Sequence, residues 1–139
     1  MTLQRHKRER CISLTLPCGL GSVVWLLLTL LPLHAQVTDQ DAINAIIGEA
    51  GNQPLEAQIG VGEVIRKRNS LRGIYGITNK CVLSASNKTR QKAKDAWEKS
   101  LTSHLTLNAM YFGGEADKPY FDRIKVRPVL KVGRITFYK

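Results

Sequence analysis

From residue 38 to about residue 101 the apolar positions recur at helical rather than strand spacing. Ile43, Ile46, Ile47 and Ala50 fall on one face, the signature of an amphipathic helix. Thr38-Asp39-Gln40-Asp41 just before them has the form of a capping box, which predicts where that helix starts. Gly51 and Asn52 suit its end, and Pro54 suits the first turn of a second helix. This second helix is predicted from Pro54 to about Arg68, with Leu55, Ile59, Gly62 and Ile65 on one side and Ala57, Val61 and Val64 on the adjoining one. Apolar over so much of its circumference, it belongs at the centre of the domain. Gly60 and Gly62 cost about 1 kcal/mol each relative to Ala in a helix interior, so another backbone or a ligand is expected to approach there. Arg66, Lys67 and Arg68 complement the dipole at the helix's C-terminal end.

Residues 69–84 hold Gly73, Gly76 and Asn79 and read as irregular connection with a turn of helix. A third helix is predicted from Ser84 or Ser86, carrying Ala93, Ala96, Trp97, Ser100 and Leu101 inward and Lys88, Arg90, Lys92, Lys94 and Lys99 largely outward. The texture changes from Asn108. Met110-Tyr111-Phe112 precedes Gly113-Gly114, Pro119-Tyr120-Phe121 follows, and Val126 to Tyr138 is rich in β-branched residues, with Gly133 where a two-stranded ribbon turns or bulges. Helices first and a small antiparallel sheet last give an α+β domain over residues 36–139.

The first 35 residues follow a different pattern. Arg5, Lys7, Arg8 and Arg10 form a basic head, Val23 to Leu33 is almost wholly apolar, and Leu33-His34-Ala35 offers a small-residue cleavage site before Gln36. Residues 1–35 are therefore predicted to be an export signal, which places the protein in the periplasm, cell wall or extracellular space. A retained anchor is the alternative, because Ile12 to Leu33 is about long enough for a bilayer core of roughly 30 Å. The whole chain has 21 Lys and Arg against 11 Asp and Glu. Without Arg5, Lys7, Arg8, Arg10 and Glu9 the domain keeps 17 bases against 10 acids, or +7. That charge favours anionic surfaces such as cell-wall polymers. Nucleic acid would attract it equally, but an exported protein does not meet it and it is not an expected partner. Membrane contact is expected only through an uncleaved signal segment, and the domain is expected to be a monomer.

The residue inventory removes several chemistries. His104 is the one histidine after residue 35, whereas a hydrolytic zinc site held by two histidines and an acid, or by three histidines, needs at least two. No nucleophile-elbow motif accompanies a serine. No metal and no cofactor is expected. Cys81, the one cysteine after residue 35, leaves a Cys81–His104 wall peptidase or amidase open, against a buried, inert thiol. Among the acids, Glu63 lies one turn from Arg66, which suits a helical ion pair. Glu49, in Ile46-Ile47-Gly48-Glu49-Ala50-Gly51-Asn52-Gln53-Pro54, stands at the end of an apolar helix. Partial burial there raises a carboxyl pKa towards the range of a general acid. A capping or ion-paired glutamate is the alternative from local sequence.

A family resemblance bears on that choice. Asn44-Ala45-Ile46-Ile47-Gly48-Glu49-Ala50, followed by Pro54, Gln58, Val61, Val64-Ile65 and Arg68, resembles the opening block of the SleB-type cell wall hydrolases. Leu71-Arg72-Gly73-Ile74-Tyr75-Gly76, Ala93 with Ala96-Trp97 and Ser100, Pro119-Tyr120-Phe121, and Val132-Gly133 with Phe137-Tyr138-Lys139 continue the match over the whole domain. The resemblance implies a lysozyme-like, peptidoglycan-cleaving domain in which Glu49 is the general acid/base. It also implies lytic transglycosylase or muramidase chemistry on the glycan strand, in which one carboxyl group can protonate the glycosidic oxygen and then deprotonate the muramyl 6-hydroxyl. Gln58, Tyr75, Tyr111, Tyr120 and Phe121 are the candidate substrate-binding residues, the aromatics serving as platforms for sugar rings. Three positions depart from the family pattern: Gln53 replaces a second glutamate, Lys67 an asparagine, and Ile135 a histidine. They motivate a noncatalytic peptidoglycan-binding relative as a further alternative.

Overall fold

A computed structural model describes residues 36–139 of the chain. The expected signal segment, residues 1–35, lies outside the described residues. Helix α1 is Asp39–Ala50. Thr38 caps it in an extended conformation, its Oγ1 accepting from Asp41 N at 3.1 Å and donating to Asp41 Oδ2 at 2.8 Å. The face spaced for burial in the sequence is buried in the fold, through Ala42, Ala45, Ile46, Ile47 and Ala50.

Helix α2, Leu55–Arg68, is the central element. Pro54 stands just before it as the cap rather than within its first turn, and Asn69, left-handed at φ 45°, closes it. Ala57, Ile59, Val61, Val64 and Ile65 are all buried, and α1 and the later helix α4 (Asn87–Lys99) pack against it. A Cβ on Gly60 would lie 2.5 Å from Phe137 Cζ. The helix glycine thus admits a core ring from the sheet.

The connection 69–86 holds a 3-10 turn, Gly76–Thr78, and a single helical turn α3, Lys80–Leu83. Ser86 Oγ caps α4 by accepting from Thr89 N at 3.1 Å. Ala93, Ala96, Trp97 and Ser100 face inward as expected, but Leu101 is 70% exposed. The helix ends at Lys99, so the 3.6-residue period no longer aims Leu101 at the core. Arg66 explains why Trp97 and Ser100 turn inward. Its guanidinium lies 3.4 Å from the Trp97 ring centroid, Nε donates to Ser100 Oγ at 2.9 Å, and Nη2 donates to Trp97 O at 2.8 Å. Trp97 Nε1 in turn donates to Asp39 Oδ1 at 2.8 Å, tying α4 to the start of α1.

The C-terminal part contains the expected ribbon turning at Gly133, which a third strand extends into a three-stranded antiparallel sheet. Its strands are β1 (Tyr111–Gly113), β2 (Pro128–Val132) and β3 (Ile135–Tyr138), in the order β1-β3-β2. A short helix α5, Lys118–Arg123, separates β1 from β2. Phe112 pairs with Phe137 across β1 and β3, and Val132 pairs with Ile135 beside the turn at Gly133, whose φ is 59°. An irregularity between Pro128 and Leu130 bends β2, as the ring of Pro128 at a strand end would favour. Fully buried Phe137 carries the sheet into the helical core.

Candidate active site

An acid in the last turn of a helix faces the negative end of the helix dipole, a position that costs about 0.3–1 kcal/mol. Glu49 is in that turn of α1, with no basic residue beside it there. A main-chain donor compensates. Gly76 N donates to Glu49 Oε1 at 2.7 Å, a hydrogen bond to a charged group worth about 1.5–3 kcal/mol. The approach needs two glycines. A Cβ on Gly48 would lie 1.9 Å from Gly76 O, and one on Gly76 would lie 2.6 Å from Gly48 C and 2.8 Å from Glu49 Oε1. Two backbones in direct contact therefore aim a half-buried carboxylate. Oε2 enters no hydrogen bond among the described residues.

Tyr75, one residue before this donor, belongs to the wall of a cleft of about 430 Å³. Arg68, Arg72, Gly73 and Ile74 continue that wall, while Tyr111 and Phe112 from β1 and Tyr120 and Phe121 from α5 line the cleft as well. Four of the five predicted binding residues thus come together from well-separated segments of sequence. Tyr75 is 81% exposed and Tyr120 51%. Phe121 is different: it is buried, stacks on Tyr138 with ring centroids 4.1 Å apart, and meets Tyr120 edge-on at 5.4 Å. Its ring is the floor that holds the tyrosines, not an open platform.

Gln58 does not join them. It is wholly buried, and its Nε2 donates to Gln53 O at 3.1 Å and to Gly51 O at 3.4 Å. The side chain that the sequence offered to substrate instead fastens the α1–α2 connection from within the core. Gln53 also has a structural partner, accepting from Arg134 N through Oε1 at 3.0 Å and so docking the β2–β3 turn. Lys67 donates to Asn108 O at 2.9 Å, and Ile135 is buried in β3.

Glu63 is not the ion-pair partner of Arg66. Its Oε1 accepts from Leu105 N at 2.9 Å, and its Oε2 accepts from Thr106 N at 2.9 Å and from Thr106 Oγ1 at 2.6 Å. Partial burial raises its pKa, but the combined hydrogen bonds from Ser103, Thr106 and Leu105 outweigh that and hold it below the ordinary carboxylate value. A carboxylate satisfied in this way fixes a loop. It lines a roomier cavity of about 520 Å³ with Arg66, Lys67 and His104, and no aromatic residue of the cleft lines that cavity. Cys81 is exposed rather than buried, and lines a separate hollow with Ile47, Gly48 and Ser84. Cys81 and His104 therefore face different cavities. Among the described residues no cluster of three or more His, Cys, Asp or Glu is placed to hold a metal, and no helix is long and apolar enough to cross a membrane.

The sequence left two parts of this arrangement unassigned. One is the Gly48–Gly76 contact, for which an unexplained glycine next to an acid in a helix was the available signal. The other is the pair Arg68 and Arg72, whose Nη2-to-carbonyl hydrogen bond folds the end of α2 back over the turn 69–73.

A helical domain closed by a small antiparallel sheet, with a glutamate at the end of its first helix, defines an α+β lysozyme-like fold. The chain is similar in structure to the catalytic domain of the germination-specific lytic transglycosylase SleB from Bacillus anthracis, with a TM-score of 0.54 and 21% sequence identity over 78% of this chain and 98% of that domain. No family model matches the chain, and no curated protein matches its sequence.

Proposed function

We propose that this protein cleaves the glycan strands of peptidoglycan, with Glu49 as its single general acid/base. One observation carries the reading: the Glu49 carboxylate is held by Gly76 N–H, next to the tyrosine that opens an aromatic cleft. Tyrosine faces suit the apolar faces of sugar rings. Glu49, held by the residue that follows Tyr75 in the chain, suits protonation of a glycosidic oxygen. The fold shared with a lytic transglycosylase catalytic domain supports the same assignment.

Glycosidases that use two carboxyl groups need the second at a fixed separation from the first. Neither Glu63, tied to the 103–106 loop, nor Gln53 provides one beside Glu49. Intramolecular attack by the muramyl 6-hydroxyl needs no second carboxylate. Glu49 then acts first as acid and afterwards as base, leaving a 1,6-anhydro end. With residues 1–35 read as an export signal, the substrate is met outside the cytoplasmic membrane.

The test is turbidity clearing of purified peptidoglycan together with mass spectrometry of the products. Glu49→Gln should keep the wild-type melting temperature and lose about 100-fold or more in rate. Undiminished clearing by that variant sinks the assignment of Glu49. Anhydro ends identify transglycosylation and reducing ends hydrolysis. New free amines abolished by Cys81→Ser would instead establish the peptidase alternative. Binding without soluble products at any pH would establish a noncatalytic relative.

A further inference from the structure

The aromatic cleft that Tyr75 opens carries positive charge that no acidic side chain balances. Arg68 and Arg72 line it, and none of its lining residues is acidic. Neither guanidinium pairs with a carboxylate among the described residues, where the one ion pair is Lys131 with Glu115. Arg68 spends one Nη2 hydrogen on the Arg72 carbonyl, out of five N–H donors in a rigid fork that matches an oxyanion. Outside the lining, Arg123 lies 5.6 Å from the Tyr120 ring centroid. Solvation alone does not call for two arginines among exposed tyrosines, because arginines on an open surface serve that purpose equally well.

The sugar rings of an N-acetylated glycan are neutral, and the lactyl carboxyl of muramic acid is tied up as an amide wherever a stem peptide is attached. The anionic groups of a wall strand are on its substituents, as carboxylates of the stem peptides or phosphates of attached polymers. We infer that Arg68 and Arg72 receive an anionic substituent of the strand, so that the protein selects strands bearing carboxylate-rich stem peptides over bare glycan. This inference rests on the glycan-strand reading of the cleft. Tyrosine and arginine would then read different parts of one repeat, the sugar face by contact and the side branch by charge. The guanidiniums would set which saccharides are presented to Glu49 without taking part in the chemistry.

The experiment compares three preparations of the same strands: intact, stripped of peptides by an amidase with the lactyl carboxylates this exposes then capped as methylamides, and freed of phosphate polymers by hydrofluoric acid. For the wild type, kcat/KM on intact strands should exceed that on peptide-stripped strands by about fivefold, the scale of one exposed ion pair of about 1 kcal/mol. The difference should lie in KM and shrink as salt rises from about 0.05 to 0.5 M. Arg72→Gln should bring the intact-to-stripped ratio close to one, whatever it does to both absolute rates, and Arg72→Lys should keep part of the preference. A preference that follows hydrofluoric acid treatment instead of amidase treatment identifies phosphate as the anion and still supports the two arginines as its receptors. A wild-type ratio of one after both treatments, or a ratio unchanged in Arg72→Gln, overturns the inference. If no strand is cleaved, the glycan-cleavage reading fails by itself. Co-sedimentation with the same three preparations then decides the charge preference, with the same ratios expected and the same results against it.

Discussion

Replacing Gly48 with alanine tests how the acid is held, because the clash it creates is with backbone and no side chain can swing away. The added Cβ would lie 1.9 Å from Gly76 O and 2.2 Å from Gly76 C, against an ordinary contact of 3.4–4 Å. Helix α1 and the Gly76 turn must therefore separate by about 1.5 Å, the difference between 3.4 and 1.9 Å. A separation of that size breaks the 2.7 Å hydrogen bond from Gly76 N to Glu49 Oε1, at about 1.5–3 kcal/mol. Overpacking adds about 1–3 kcal/mol, and the better helix propensity of alanine returns up to about 1 kcal/mol. The net loss is about 1.5–6 kcal/mol, which for a domain of this size lowers Tm by at least about 6 °C. Clearing should fall about 100-fold or more, because the carboxylate is displaced by more than about 1 Å. Thermal denaturation and turbidity clearing measure the two effects on one preparation. Gly73→Ala is the control: at φ +78° it strains the backbone, but its Cβ meets nothing within 4 Å, so it should cost only about 1–2 kcal/mol. If Gly48→Ala melts and clears like the wild type, the backbone contact does not hold the acid, and the positioning argument is wrong.

Other substitutions separate binding, folding and catalysis. Tyr75→Ala removes a side chain that is 81% exposed, so stability should change by no more than about 0.5 kcal/mol while binding to glycan strands weakens; a large fall in Tm would assign Tyr75 to the core instead. Phe121→Ala should do the reverse first, costing about 3–5 kcal/mol because its ring is stacked beneath the cleft on Tyr138. Glu63 has a folded pKa below its ordinary value, so its stabilisation is complete above the unfolded carboxylate pKa and is lost as pH falls through the folded value. Melting temperatures followed from about pH 6 downwards should drop less steeply in Glu63→Gln than in the wild type. Gln53→Glu keeps an oxygen for Arg134 N and adds a second carboxylate; with one-carboxylate chemistry, the clearing rate should change less than about twofold, and a large gain would show that a second carboxylate matters.

What the sequence made legible follows from the range of the forces involved. Helices α1, α2 and α4 could be read from spacing because the burial of one face is repeated every turn, and Thr38 could be read because a cap acts within three residues, whereas Ser84 and Ser86 were equally eligible to cap α4. Strand β1 is three residues long and is defined by β3, more than 20 positions later, so no local pattern marks it. The cleft shows the same division. Its aromatics were legible by residue type, but only packing decides which are platforms: Phe121 and Tyr120 are neighbours in sequence, and one is a floor while the other is half open to solvent. Gln58 shows the limit of carrying a substrate role over from a resemblance, since its side chain is buried and its Nε2 donates to the chain's own carbonyls. Glu49 was visible as an acid where helix physics disfavours one. Its partner is a main-chain N–H, which every residue but proline carries and which sequence cannot single out. The informative residues for such a partner are the ones that let it approach. Gly48 and Gly76 have no side chains to contribute, and their effect at the site is the distance at which they leave Glu49.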